Sequence, residues 1–447
     1  MVFSKLFGSS GRRDADDNES QEAEVDEADA ESADADLPEA LPEHPWHERA
    51  LAVLPTGTST GSKRPEALWG SADAVRDSHA PSHYISAAGC ELTTINDESL
   101  IDCTMALGSV SLGYADERVT SAVVAAAAGG NVAGLPHILE VDVAERFCEL
   151  VPCAERVQFL KSGAEAMAAA VRIARTYTGR DYVIGCGYFG WQDWCSAEAG
   201  VPEGVRGLYT RVPFDDISAL ESAVSAAGAR LAAIVIEPVI ERLPSVEWIA
   251  RARALATSSG AALIFDEMKT GFRVATGGYQ ELSGITPDLA AFGKAMANGY
   301  SLSAVCGLAP LMEATRKTWI SSTLAGETVS LAAARAVMLV YSEDDVCKKL
   351  ADRGRMMRVG IENAIRASRM EGISIAGIDP MWYFTFASPE LETEFLIAAA
   401  ASGVLFKRGP YNFPALAHDD VTIHEIESRT SNALVFMRDG GDSAESE

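Results

Sequence analysis

Asp266 and Lys294 are the residues whose types and spacing most invite chemistry. Asp266 sits near the end of the apolar run Ala261 to Glu267 (AALIFDE), and Lys294, 28 residues later (294 minus 266), follows the run LAAFG. A carboxylate and an amine on neighbouring elements suit covalent work at a carbonyl group. The amine can condense with a cofactor aldehyde to a Schiff base and afterwards shuttle a proton at the substrate carbon. A buried carboxylate favours the protonated form of a pyridine nitrogen and so keeps such a ring an electron sink. Two plainer readings stand beside this one. A lysine after an apolar strand is commonly a surface residue, and an acid at a strand end commonly caps the next turn.

A second constellation is Lys161-Ser162-Gly163-Ala164-Glu165-Ala166, between the strand-like Val157 to Leu160 and a helical stretch. Small residues there leave backbone N–H groups and the start of a helix open to a phosphate. The same residues also describe an ordinary helix start.

The elements that must position these groups are legible as an alternation. Ala164 to Tyr177 reads as a helix, Tyr182 to Cys186 as a strand and Leu231 to Val239 as a buried strand. Val246 to Ser258 reads as a helix and Ala261 to Glu267 as another buried strand. β-branched runs between Ala-rich helices predict an α/β protein with a mainly parallel sheet. Ligands of such sheets lie beyond the carboxyl ends of the strands, which is where Glu237 and Asp266 fall.

Composition narrows the partners. The chain has 447 residues, 48% of them hydrophobic, and a net charge of -27. That size exceeds one compact core, so two subdomains or more are expected. The acidity argues against a nucleic-acid groove, which needs clustered Lys and Arg. No apolar run reaches the length of a membrane span, and the first residues make too short an apolar patch for a signal peptide, so a cytoplasmic protein is expected. Residues 1 to 50 hold 15 Asp or Glu against four Lys or Arg. The stretch from Gly8 to Pro45 is too poor in large apolar residues to offset its ordering entropy and reads as a disordered, solvating tail. The eight cysteines contain no C-x-x-C pair, and no metal site is expected.

From Leu54 to His418 the chain resembles a class III, fold-type I pyridoxal-phosphate aminotransferase, of the subgroup similar to glutamate-1-semialdehyde 2,1-aminomutase. The resemblance is carried, in the family's order, by Ile101-Asp102 with MALGSVSLGY, LPHILEVDVAE, KSGAEAMAAAVRIARTYTGRD, GYFGWQDW, IVIEPV, IFDEMKTGFR, GITPDLAAFGKAMANG and STLAGETVSLAAA. It implies pyridoxal 5'-phosphate as cofactor, on Lys294, with Asp266 at the pyridine nitrogen. It implies that Ser162, Gly163 and Ala164 hold the phosphate, that Tyr188 packs on one ring face and that Met268 covers the other. Thr323 resembles a threonine that reaches the phosphate of the partner subunit's cofactor, which implies a homodimer with shared sites. Glu237 is placed near the ring hydroxyl side, and a structural strand-end acid is the other reading of it.

The fold so implied is a large cofactor-binding domain with a seven-strand, mostly parallel mixed sheet, from about residue 107 to 304. A smaller α+β domain comes from residues 46–106 and the C-terminal segment 305–438, and acidic tails occupy 1–45 and 439–447. Two departures from the family pattern stand out. Phe189 occupies the middle of the usual Tyr-His-Gly, and Lys269 stands where a small or apolar residue is more usual. Lys269 reads either as solvated or as a cation that alters substrate charge preference. Lys63, with Arg64 next to it, aligns with the arginine by which the aminomutases grip a carboxylate, and lysine lacks that planar fork. Arg408, Tyr411, Asn412 and His418 in the late segment are candidates for acceptor contacts, Arg408 first among them.

The implied activity is transfer of an amino group from an amino acid donor such as glutamate to an aldehyde or ketone acceptor. Intramolecular transfer of the aminomutase kind is the alternative. Racemisation or decarboxylation on the same cofactor, and a noncatalytic scaffold of the same fold, are the others.

Overall fold

The computed structural model describes residues 45–77 and 80–439. The segment read as a disordered tail lies, but for Pro45, outside them, as does the acidic end from residue 440.

Strand Ala262–Asp266 is the middle of a seven-stranded sheet. The order is Arg156–Leu160, Ser303–Gly307, Leu289–Phe292, Ala262–Asp266, Leu231–Ile236, Tyr182–Cys186, Tyr209–Arg211. Ser303–Gly307 runs antiparallel to both of its neighbours, and every other pairing is parallel. The sheet is therefore mixed and mostly parallel, as expected. Its central strands are apolar throughout because both faces are covered. Val183, Val235, Ile264 and Ala291 point to one side, onto helix Gly163–Thr178. Ile184, Ile236, Leu263, Phe265 and Phe292 point to the other, where Trp248 and Ile249 of helix Val246–Ser259 are buried. The three layers follow from that alternation.

Helix Gly163–Thr178 buries Ala166, Met167, Ala170, Ile173 and Ala174, the stripe that a 3.6-residue period lays on one face. Ser162 and Glu165 form a reciprocal capping box at its start, and Gly179, with φ +67, ends it in the left-handed region. Most expected boundaries hold to within a residue. The exception is the strand expected from Leu231 to Val239, which stops at Ile236. Pro238 has no N–H to give the ladder, so the chain turns out of the sheet there.

A second sheet of four strands joins Tyr84–Ala88, Glu91–Thr94 and Ser99–Asp102 to the late strand Val404–Leu405, which adds in parallel beside Ser99–Asp102. A hairpin, Ile373–Ile378 with Met381–Phe386, completes the strands. Between the four-stranded sheet and the large one the chain makes a left-handed turn, with φ of 42, 49, 59 and 80 at Met105, Ala106, Leu107 and Gly108. Each of the first three residues costs about 1–2 kcal/mol in that conformation, so the surroundings must hold it. Asp102 Oδ1 accepts the Thr104 and Met105 N–H groups at 2.6 and 3.2 Å, and the buried Arg273 donates to the Gly108 carbonyl at 3.3 Å.

Candidate active site

Five strands deliver residues to one edge of the large sheet. Ser162 follows Arg156–Leu160, Gly187 and Tyr188 follow Tyr182–Cys186, and Glu237 follows Leu231–Ile236. Asp266 ends its own strand, and Lys294 comes one glycine after Leu289–Phe292. They meet in a cleft of about 490 Å³ whose walls include Ser162, Gly163, Ala164, Tyr188, Glu237, Asp266, Met268 and Lys294. The same cleft takes in Lys269 and the side chains of Ser109, Lys161, Trp191 and Tyr300, to which residue type and spacing assign no role of their own. Their signal was present in the motifs GSVSLGY, KSGAE, GWQDW and ANGY, but residue type alone does not say which side chains turn inward.

Asp266 is 5% exposed and receives one hydrogen bond, from the Met268 N–H to Oδ1 at 3.0 Å. Burial, and then the Glu237 carboxylate, push it up to about 7. Its second oxygen has no donor among the described residues. Lys294 presents the complementary lack. It sits half-buried with φ +47 at the start of a short 3-10 turn, and its amine has neither hydrogen bond nor ion pair among the described residues. Burial depresses its proton affinity; Asp266 opposes this and Lys269 reinforces it. Asn298 fixes the loop behind it, accepting the Ser111 and Leu112 N–H groups at 3.0 Å each and donating to the Gly113 carbonyl at 2.9 Å.

Lys269 is not solvated. Its ammonium lies 2.5 Å from Glu237 Oε1 and 4.4 Å from the centre of the Tyr411 ring. The other Glu237 oxygen accepts the Tyr188 N–H at 2.9 Å, and the Tyr188 ring, 70% exposed, stands free at the cleft. Phe189, in the place of the family's histidine, is buried and stacks on Trp194 with centroids 5.7 Å apart.

At the helix start the capping box consumes part of the expected cradle. Glu165 Oε2 accepts the Ser162 N–H at 2.8 Å and the Lys161 N–H at 3.1 Å, and Ser162 Oγ accepts the Glu165 N–H at 3.3 Å. The N–H groups of Gly163 and Ala164 are left pointing from the start of a 16-residue helix with no acceptor among the described residues. Met268 is wedged against this turn: a Cβ on Gly163 would lie 2.9 Å from its sulfur, and one on Gly293 2.8 Å. Two glycines therefore make room for one methionine between the turn and Lys294.

Four expected residues do not reach this cleft in the single chain. Thr323 is exposed in a separate cleft with Asn131, His137 and Ser322. Lys63 and Arg64 are exposed and line two other hollows. Arg408 is turned to helix Pro389–Ala401, where it meets Glu392 at 3.1 Å and Thr393 at 2.9 Å. Of the other late candidates, His418 is fully buried between the Asp102 carbonyl and the Ala415 N–H, and Asn412 is buried against the Trp382 backbone. Tyr411 alone approaches the cleft, through Lys269.

Gly187 offers a test of this packing. Its φ is +135 and a Cβ there would lie 2.4 Å from Glu237 Cβ. Gly187→Ala should displace Glu237 and Tyr188 and weaken cofactor binding by about tenfold or more, the loss expected when a close-packed contact worth 1–3 kcal/mol is overfilled. Equilibrium dialysis of the cofactor, with circular dichroism to confirm the fold, checks it.

The arrangement fits pyridoxal 5'-phosphate on the structure's own terms. A buried acid lacks a cation, a half-buried amine lacks an anion, and a helix start offers free N–H groups, all in one cleft of ligand size.

Comparison with known proteins agrees. The family described as Aminotransferase class-III matches residues 73–434. The glutamate-1-semialdehyde 2,1-aminomutase of Laribacter hongkongensis (strain HLHK9) is 31% identical over 416 residues, covering 84% of this chain and 95% of that protein. The 3-aminobutyryl-CoA aminotransferase of Cloacimonas acidaminovorans (strain Evry) is 28% identical over 355 residues, 76% of this chain and 86% of that one. The FumI protein of Sphingopyxis sp. MTA144, solved in its PLP internal aldimine form, superposes with a TM-score of 0.82 at 25% identity, over 89% of this chain and 97% of that one. The chain belongs to the class-III aminotransferases, and is a pyridoxal-phosphate-dependent enzyme of amino transfer with the fold-type I architecture.

Proposed function

We propose that the enzyme is a transaminase that carries its cofactor on Lys294, takes the amino group of an amino acid donor, glutamate first among candidates, and delivers it to an aldehyde or ketone acceptor. One observation carries the reading: the unpartnered Lys294 amine and the cation-lacking Asp266 carboxyl line the same cleft. When bound, pyridoxal phosphate supplies an electron sink joined to the substrate's amino-bearing carbon.

The chain's own residues do the rest. Asp266 would hold the pyridine nitrogen in its charged form. The Gly163 and Ala164 N–H groups, with Ser162, would hold the phosphate, while Tyr188 and Met268 would cover the two ring faces and Glu237 would keep the Tyr188 backbone in place. Burial depresses the proton affinity of Lys294 and so favours its neutral amine, and as a base Nζ would take the proton from the donor's α-carbon and return one to the acceptor carbon. Thr323, which lines a separate hollow of its own chain, would serve the site of a second copy, which makes a homodimer part of the reading. The segments expected to form a large and a small domain, and a cytoplasmic location, belong to it too; among the described residues no helix is long and apolar enough to cross a membrane. Arg408 could contact an acceptor only by leaving Glu392.

Intramolecular transfer is the second reading, supported by the aminomutase relatives and weakened by Lys63, which lacks the planar fork of the arginine it aligns with. A half-reaction separates the two. Cofactor-loaded protein mixed with excess L-glutamate should bleach its visible band and release about one 2-oxoglutarate per site, the stoichiometry of a covalent half-reaction. No keto acid from glutamate, with conversion of glutamate 1-semialdehyde to 5-aminolevulinate, would replace the transaminase by the aminomutase.

A further inference from the structure

Glu237 and Asp266 stand at the carboxyl ends of adjacent parallel strands in register. Ile236 pairs with Phe265, so the next residues, Glu237 and Asp266, end side by side at the cleft. Two carboxylates so placed penalise each other's ionisation. The chain itself supplies the remedy. Lys269, three residues beyond Asp266, turns back to place its ammonium 2.5 Å from Glu237 Oε1, over the Tyr411 ring.

We propose that Lys269 is a positioning residue that cancels the charge of Glu237, so that Asp266 ionises beside the cofactor at neutral pH. The inference rests on the reading of Asp266 and Lys294 as cofactor residues. Burial and Glu237, in that order, are what raise Asp266, while Lys294 and Lys269 act against them. The other titratable or charged groups near the pair include Tyr411, Cys186, Cys195, Arg211 and Arg273, with Tyr188 and Lys161 in the same cleft. Of the cations among these, Lys269 alone forms an ion pair with either carboxylate among the described residues. The ion pair is sheltered, with side-chain exposures of 18% and 10%, so solvent screens it little. Its second effect is mechanical: a Glu237 held by Lys269 through one oxygen keeps the other on the Tyr188 N–H.

Charge bookkeeping gives a sign pattern. Lys269→Met removes a cation and leaves Glu237 uncompensated, so both Asp266 and Lys294 bind protons more tightly. Glu237→Gln leaves an uncompensated cation and does the opposite. The double variant removes a neutral pair and restores the balance.

The test titrates the visible spectrum of pyridoxal-phosphate-loaded enzyme against pH, without substrate, and measures cofactor dissociation alongside. The midpoint should rise by about one unit or more in Lys269→Met, a shift of the size a close charge produces. It should fall in Glu237→Gln, return to near the wild-type value in Lys269→Met/Glu237→Gln, and stay there in Lys269→Arg. Cofactor should dissociate more readily from Lys269→Met alone. An unmoved midpoint in Lys269→Met, or a double variant that stays as displaced as Lys269→Met, overturns the proposal. Borohydride fixation at Lys294 of the wild type separates the levels: if fixation occurs and the midpoints coincide, this inference falls alone, and if fixation at Lys294 is absent, the reading beneath it falls as well.

Discussion

Lys294→Ala should lose amino transfer by about 10³-fold or more, the scale of removing both the covalent attachment point and the general acid–base group. The fold should survive, because the Lys294 amine makes no hydrogen bond or ion pair among the described residues that alanine would break. The backbone there is already left-handed, with φ +47, and alanine bears no more strain in it than lysine does. The variant should still bind pyridoxal phosphate reversibly, through the helix start and Asp266, but borohydride should no longer fix it to the protein. Stopped-flow measurement of the half-reaction with glutamate checks the rate, and dialysis after reduction checks the attachment. A variant that retained a tenth of the wild-type rate would place the proton transfer elsewhere.

Asp266→Asn should cost less, about 10- to 10³-fold in the half-reaction, corresponding to the 1–3 units by which a close carboxylate raises the proton affinity of a cation. Asparagine keeps the shape and can keep accepting the Met268 N–H at Oδ1, so the loss reports charge. It also removes the like-charge conflict with Glu237, so the cofactor-free protein should be no less stable in denaturant, while the loaded protein loses affinity for its cofactor. A loss of rate with unchanged cofactor affinity and unchanged spectrum would assign Asp266 a structural role.

Much of this site was legible because its residues lie within short motifs at strand ends. Asp266, Glu237, Lys294 and the Ser162 turn each follow an apolar run, and a parallel sheet brings such ends together whatever the loops do. What escaped depends on contacts between distant segments. Lys269 has the same sequence signature whether solvated or paired; only the register of Ile236 on Phe265 tells that Glu237 lies within its reach. The left-handed turn at Met105 to Gly108 opens with three residues that have no preference for it, and is held by Asp102 and Arg273. The apolar run from Leu231 continues to Val239, past the end of strand Leu231–Ile236, because hydrophobicity does not register the missing N–H of Pro238. Phe189, in the middle of the usual Tyr-His-Gly, packs inward on Trp194, a contact that only the folded chain displays. Arg408 was nominated by charge and position in the late segment, and its partner Glu392, a helix away, could not be read from type alone.

The most direct test is to load the wild-type protein with pyridoxal phosphate, reduce it with borohydride, digest it and locate the pyridoxyl mass by tandem spectrometry. The account predicts the label on the peptide containing Lys294, at that residue, with prior incubation in excess glutamate protecting it. A label on Lys269 or Lys161, the other lysines of the cleft, or protein that takes up the cofactor without any fixable linkage, would contradict it.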